Sequence, residues 1–282
     1  MDESTNDGIV NVGDGNDGGA AMNPATGTEP AAPSTDAARH HTEFDSSWRS
    51  FDGIQGGLAI ARMLRVAADA SGAEPLAVTA HLDRPVPPGP AELTVGEMRG
   101  GRTVSCHVTL TDAGSALVRL ARDIGATTMS APVAEPAPAD PSTLPPLEIP
   151  VDFVPFAQHL DIRPINSARP FAGGDSPEFD VWIRLLTDLD FTAQERAAVL
   201  LDALPPGLFA TLTMPVAIPT IEFTAHFTPE HLTADPRTLS PWYRLRHGTA
   251  WATDTLCVDE SELFDSRSEE HTSELQSHLM IS

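Results

Sequence analysis

Lysine is absent from this 282-residue chain, and all 17 basic residues are arginine, set against 40 acidic ones for a formal net charge of −23. So acidic a balance repels polyphosphate backbones and anionic bilayers, which makes neither nucleic acid nor a membrane the expected partner. Abundant Ala and Pro beside the missing lysine point to the codon bias of a GC-rich genome rather than to a functional device. Cysteine is scarce too. Cys106 and Cys257, both in strand-like runs, support neither a disulfide framework nor a zinc site. No apolar run reaches the length that crosses a bilayer, and the acidic N-terminus is unlike a signal peptide, so a soluble cytoplasmic protein is expected. A Gly-x-Ser-x-Gly elbow and His/Cys metal spacings are also missing, leaving serine-hydrolase and zinc chemistry unsupported. No metal and no cofactor are expected.

Residues 1–38, rich in Gly, Asp, Asn, Pro and Thr, carry too little apolar surface to offset ordering entropy and are expected to be a disordered tail. The Gly13-x-Gly15-x-x-Gly18 spacing within it is no dinucleotide loop, because Asp14 and Asp17 would repel a pyrophosphate and no strand precedes it. It is no calcium loop either, since Gly18 holds the fifth ligand position and the closing Glu is missing.

What is present is organised around Asp52-Gly53-Ile54-Gln55-Gly56-Gly57 and the run Leu58–Ala70. Asp52 suits an N-cap, and Ile54, Leu58, Ile60, Met63, Leu64 and Ala67 recur at helical spacing, with Arg62, Arg65 and Asp69 as the wet stripe. The glycine-rich start would present unpaired N–H groups able to polarise a carbonyl oxygen, or would serve close packing alone.

Short β-rich runs surround this helix: one near Glu43–Trp48, then Leu76–Leu82, Ala91–Met98, Arg102–Thr111 and Ser115–Arg122, separated by Gly- and Pro-containing turns. Residues 39–130 therefore read as one helix on an antiparallel sheet, and 131–150, with seven prolines, as an extended linker. The pattern recurs over 151–266. Strand-like Glu178–Leu186 precedes a capping box at Thr192-x-x-Glu195 and a helix to about Leu204, and strands are expected at Ile218–Phe227, Trp242–Arg246, Ala250–Val258 and Glu262–Phe264. Thr79-Ala80-His81-Leu82 returns as Thr224-Ala225-His226-Phe227 at an offset of 145 (224 − 79), and Arg99-Gly100-Gly101 as Arg246-His247-Gly248 at 147 (246 − 99). The near-constant offset implies a duplication.

The run from Arg267 to Ser277 can be encoded by a nucleotide string resembling the adapter ligated to DNA fragments in short-read sequencing, and Ile281-Ser282 suits the adapter's next constant region. Residues 267–282 are therefore expected to be an artefact that packs on nothing, the second unit is expected to lack its last strand, and the natural protein to continue past Ser266.

Taken in order, several motifs resemble the double hotdog acyl-CoA thioesterases of the thioesterase II (TesB-like) group. They are Trp48…Gly53-Ile54-x-Gly56-Gly57, Leu82-Asp83-Arg84-Pro85-Val86-Pro87-Pro88-Gly89, Gly100-Gly101-Arg102-Thr103, Trp182-Ile183-Arg184-Leu185 and Leu201-Asp202-Ala203-Leu204-Pro205-Pro206. The resemblance spans about Phe44–Ser266 and implies an α+β fold of two tandem hotdogs, each a long helix wrapped by an antiparallel sheet. It also implies an acyl-CoA substrate hydrolysed by direct water attack to a fatty acid and CoA.

The group holds its water with an aspartate, a threonine and a glutamine. The resemblance puts Glu222 where the aspartate is expected, Gly248 or Thr249 (with Thr249 preferred) at the threonine, and the glutamine on the final strand. Gly56, Gly57 and Arg84 are expected to bind substrate. From the residues alone, Glu222 is notable as a carboxylate opposite the apolar stripe Ile221, Phe223, Ala225 and Phe227, with Ala77 in its place in the first copy. A non-catalytic acyl-CoA-binding hotdog and a hotdog dehydratase or hydratase remain open alternatives, as does a homo-oligomer, and without the group's last strand the chain is expected to be inactive or impaired.

Overall fold

The computed structural model describes residues 38–125, 139–187, 189–229, 241–265 and 275–281. The first half contains β1 (Ala38–Phe44), α1 (Gly56–Ser71), β2 (Glu74–Leu82), β3 (Gly89–Val95), the two-residue β4 (Arg99–Gly100), β5 (Thr103–Leu110) and β6 (Gly114–Ala121). The second contains β7 (Leu160–Pro164), β8 (Glu178–Leu185), α2 (Ala193–Leu201), β9 (Thr220–His226), β10 (Tyr243–Ala252), β11 (Cys257–Asp265) and β12 (Leu275–Ile281).

All strands join one antiparallel sheet ordered β1-β3-β5-β6-β2-β9-β12-β11-β10-β8-β7, with β4 attached to β5. Outward from the β2–β9 seam, β2-β6-β5-β3-β1 is matched by β9-β12-β11-β10-β8, and each helix connects the outermost strand of its set to the innermost. The chain is thus an α+β double hotdog, with β7 as an added edge strand. The 145-residue offset gains a location here: Thr79 lies opposite Thr224 across the seam, their hydroxyls 3.3 Å apart, flanked by Val78 opposite Ala225 and Ala80 opposite Phe223. Equivalent residues meeting each other is the mark of a two-fold axis between copies.

α1 buries Leu58, Ile60, Met63 and Leu64 and closes at Gly72, whose φ of 60° suits glycine. Its N-cap is Gln55, not Asp52, which stays exposed. The Gln55 side chain accepts from the Leu58 N–H at 2.7 Å, and the turn before it is tied by Ile54 N–H to Val86 O at 2.8 Å. A Cβ at Gly57 would collide with Ala198 O of α2, so this glycine lets helix meet helix. The expected wet stripe is drier than its composition suggests. Arg65 grips Glu195 through Nε to Oε1 and Nη2 to Oε2, both 2.6 Å, with the Glu195 side chain only 1% exposed, while Arg62 lies 5.7 Å over the Phe191 ring.

α2 starts at the expected capping box, Thr192 Oγ1 accepting from Glu195 N–H and Glu195 Oε2 from Thr192 N–H. It ends at Leu201 rather than Leu204, because a residue before proline disfavours the helical region and Pro205-Pro206 follow directly. Where breaks were expected within Trp242–Val258, β10 runs unbroken through Gly248 to Ala252, and the separate Glu262–Phe264 strand is part of β11. The ladder to β8 on one side and β11 on the other holds His247-Gly248-Thr249 extended despite the glycine. β1 lies earlier than the expected Glu43–Trp48 strand, of which Ser46–Trp48 is a 3-10 turn.

Of the linker and tails, residues 1–37, 126–138 and 266–274 lie outside the described residues. Residues 139–150 line the second half, with Trp182 Nε1 donating to Ala139 O and Leu147 N–H to Ile162 O. The segment expected to pack on nothing is corrected in part: Leu275–Ile281 forms β12, antiparallel to both β9 and β11, in the position that β6 holds in the first half. A slot flanked by two rows of unsatisfied N–H and C=O groups accepts any segment able to extend into it. This placement concerns backbone pairing and leaves the origin of the codons untouched.

Candidate active site

Polar side chains gather on the helix-facing side of the second half, under the end of α2. β11 is the clearest case. Cys257, Asp259, Ser261 and Leu263 alternate inward and are all buried, so two of four residues on an apolar stripe are polar. Asp259 Oδ1 accepts from the Thr249 hydroxyl at 2.6 Å, and Oδ2 accepts from the Gly207 N–H at 3.2 Å. Leu208, the next residue, donates its N–H to Thr249 Oγ1 at 2.7 Å. The close approach that brings these two amides in requires glycine at 207, where a Cβ would strike Pro177 O.

His247 adds a buried imidazole. Its Nδ1 is 2.6 Å from Ser261 Oγ, and its Nε2 lies 3.2 Å from Asp259 Oδ2 outside the direction of a proper hydrogen bond, so that contact is electrostatic. Burial alone would raise the Asp259 carboxyl. The His247 contact and charge, the Thr249 hydroxyl and the Gly207 N–H together outweigh it and hold Asp259 below the usual carboxylate range. A cleft of about 460 Å³ opens beside the cluster, lined among others by Pro177, Glu178, Arg246, Gly248, Thr249 and Ser261.

A second carboxylate, Asp202, sits where α2 ends against the start of α1. Its Oδ2 accepts from the Gly57 N–H at 2.7 Å and its Oδ1 from the Thr220 hydroxyl at 3.1 Å. The residue keeps some solvent contact, yet its carboxyl is walled in. Burial pushes it up to about 6, against the opposing pull of Gly57 N–H, Thr220, His247 and Gly56 N–H.

The structure distributes the expected site residues unevenly. Thr249 is in the cluster. Glu222 is not: Asp259 and Phe223 are both fully buried on the core side, so Glu222, adjacent to Phe223 and half-buried, points to the other face. The strands carrying Glu222 and Thr249 are three steps apart, about 14 Å of backbone. Glu222 instead faces His81 of β2, Oε2 to Nδ1 at 3.9 Å, with its side chain 34% exposed. A water shared directly by Glu222 and Thr249 does not fit this arrangement. Gly248 is on β10 beside Thr249 but contributes no side chain to it.

Gly56 and Gly57 open α1 as expected, but their amides face Asp202, so the unpaired N–H groups anticipated for a carbonyl are corrected to a capped helix start. Arg84 is exposed on the β2–β3 connection, its own N–H donating to Ala113 O.

Asp259 and Ser261 were not singled out from sequence, and Asp202 and His247 only as members of motifs without a site role, although signals existed. An Asp at a helix C-terminus runs against the dipole, and Asp259 and Ser261 interrupt an apolar alternation that the expected strand boundaries had cut in two.

A tandem pair of hotdogs with one buried polar cluster in the second copy defines a double hotdog protein. Family models agree on what kind: the acyl-CoA thioesterase N-terminal domain matches residues 44–130 and the acyl-CoA thioesterase C-terminal domain matches residues 130–269. The chain belongs to this acyl-CoA thioesterase family. Among solved structures it is similar to a conserved protein of unknown function with hot dog fold from Alicyclobacillus acidocaldarius, at 19% identity and TM-score 0.73 over 88% of this chain and 94% of that one. It is similar also to the tesB protein of Mycobacterium avium subs paratuberculosis (17%, 0.66, 86% and 91%) and to acyl-CoA thioesterase II TesB2 of Mycobacterium marinum (16%, 0.64, 86% and 91%). At such identities these structures speak to the fold alone. No curated protein matches the chain. No helix among the described residues is long and apolar enough to cross a membrane.

Proposed function

We propose that this protein hydrolyses acyl-CoA by direct attack of water, releasing a free fatty acid and CoA. The observation that carries this reading is Thr249, at the position to which the family resemblance points, with its hydroxyl fixed by Asp259 and Leu208 beside the cleft. In the reaction the water oxygen bonds to the acyl carbon as one of its protons passes to a carboxylate, the C–S bond breaks, and the departing CoA thiolate takes up that proton. The carboxylate must be ionised at neutral pH yet hold a proton briefly, which favours a group titrating near the working pH.

Asp202, pushed up to about 6 and within electrostatic reach of His247, meets that requirement. We therefore assign the base to Asp202. Glu222, which the resemblance favours, serves only if β9 and β12 rearrange to bring it to the Thr249 face. Gly56 and Gly57 then act by holding Asp202, and Arg84, exposed on its loop, is assigned to the phosphate groups of CoA.

CoA thiol release from acetyl- to palmitoyl-CoA tests this directly. The wild type should release thiol. Asp202→Asn should lower kcat by about a hundredfold or more, the usual contribution of a positioned base, with Glu222→Gln close to wild type. The reverse pattern returns the base to Glu222. Release from no acyl-CoA, with binding retained, would leave a non-catalytic acyl-CoA-binding hotdog.

A further inference from the structure

We infer that Asp259 is a positioning residue that fixes the polarity of the Thr249 hydroxyl, so that Thr249 can only accept a hydrogen bond from whatever enters the cleft. This rests on the water-attack reading above and deepens it. A threonine hydroxyl has one hydrogen and two acceptor positions. At Thr249 the hydrogen goes to Asp259 Oδ1 at 2.6 Å, and one acceptor position takes the Leu208 N–H at 2.7 Å. One acceptor position remains.

Asp259 cannot reverse this polarity. It is fully buried, its second oxygen accepts from Gly207 N–H, and His247 lies 3.2 Å away, so the carboxylate form is favoured and has no hydrogen to offer. Thr249 is thereby barred from stabilising the oxyanion, which needs a donor. Its role is to receive one O–H of the attacking water and so turn a water lone pair toward the acyl carbon. Gly207 and Leu208 amides, although adjacent and parallel in role, are spent on Asp259 and Thr249 and do not form an oxyanion hole. The oxyanion donor must be another group.

The test is a double-mutant cycle on the full chain, reading kcat and KM for palmitoyl-CoA hydrolysis with Thr249→Val, Thr249→Ser, Asp259→Asn and the Asp259→Asn/Thr249→Val pair. Thr249→Val and Asp259→Asn should each lower kcat about tenfold or more with KM little changed, and Thr249→Ser should restore most of the rate. Because Asp259 acts through the hydroxyl, Asp259→Asn should cost almost nothing further once Thr249 is Val.

Additive losses, or Thr249→Ser as slow as Thr249→Val, would overturn the inference while leaving hydrolysis itself established. Should Asp259→Asn not fold, the titration of Asp259 itself decides. A second measurement does not depend on activity: the Asp259 carboxyl, followed by carbon NMR, should titrate higher in Thr249→Val than in wild type. An unmoved titration refutes the hydrogen bond, and so the inference. Absence of hydrolysis by the wild type refutes the proposed function, and with it any positioning role.

Discussion

Asp202→Asn should stabilise the protein at neutral pH and do nothing for it in acid. The Asp202 carboxyl is raised from 3.8 to about 6 in the folded chain. Between those two values the folded state holds a proton that the unfolded state has released. Stability linked to Asp202 is therefore fully present below pH 3.8 and is lost as pH rises through about 6. The shift of about 2.2 units corresponds to about 3 kcal/mol at 1.36 kcal/mol per unit, a ceiling because the residue retains some solvent contact.

Asn is uncharged throughout, keeps a carbonyl for the Gly57 N–H and can donate to Thr220. It should remove this pH dependence without removing the cap. Urea unfolding of both proteins at about pH 4, 5, 6 and 7.5 isolates the effect, since other groups cancel in the difference. Asp202→Asn should gain on wild type by up to about 3 kcal/mol between the lowest and highest pH, at unchanged m-value. A difference independent of pH would refute the enclosed, raised carboxyl. A carboxylate that costs stability at neutral pH is what the loss of kcat predicted for the same variant would explain.

Glu195→Ala removes both the partner of Arg65 and half of the α2 capping box, and should destabilise by about 3 kcal/mol in denaturant titration. Gly57→Ala drives a methyl into Ala198 O, a backbone atom that cannot swing aside, and should cost about 2 kcal/mol or more, seen as a lowered Tm. His159, stacked 4.2 Å from Trp48 and contacting Ser47 and Thr187, is lowered from 6.5 by burial, so stability present above pH 6.5 should fall as acid protonates the ring; His159→Gln should flatten that slope. Removing residues 266–282 takes away β12, leaves β9 and β11 with open edges, and should produce concentration-dependent aggregation in light scattering.

Local physics made much of the fold legible. The strand-like run Arg102–Thr111, the capping box at Thr192 and the apolar face of Leu58–Ala67 each stated their element within a few residues, and the recurrence of Thr-Ala-His stated the duplication, though not that the two copies of it meet. What stayed hidden depends on contacts far apart in sequence. Gln55 replaces Asp52 as a cap because Trp48 and Val86 hold the preceding turn, and Arg65 leaves the wet stripe because Glu195 waits 130 residues later. The candidate site was legible at Thr249 through family resemblance. Asp259 and Asp202 were not, since their significance lies in what encloses them: two amides from 207 and 208, and a helix start from the other half.

The β2–β9 seam has a consequence for dilution. Ala77 to His81 pair with Glu222 to His226 within one polypeptide, so the two hotdogs meet at a concentration set by the connecting chain and not by the amount of protein in the tube. Hotdogs joined across such a seam as separate chains obey mass action and fall apart when scarce. Here the association constant carries no concentration at all. Specific activity per chain should therefore stay level from micromolar down to nanomolar protein, and the Asp202 cap on the first helix, a contact between halves, should survive at any copy number a cell maintains.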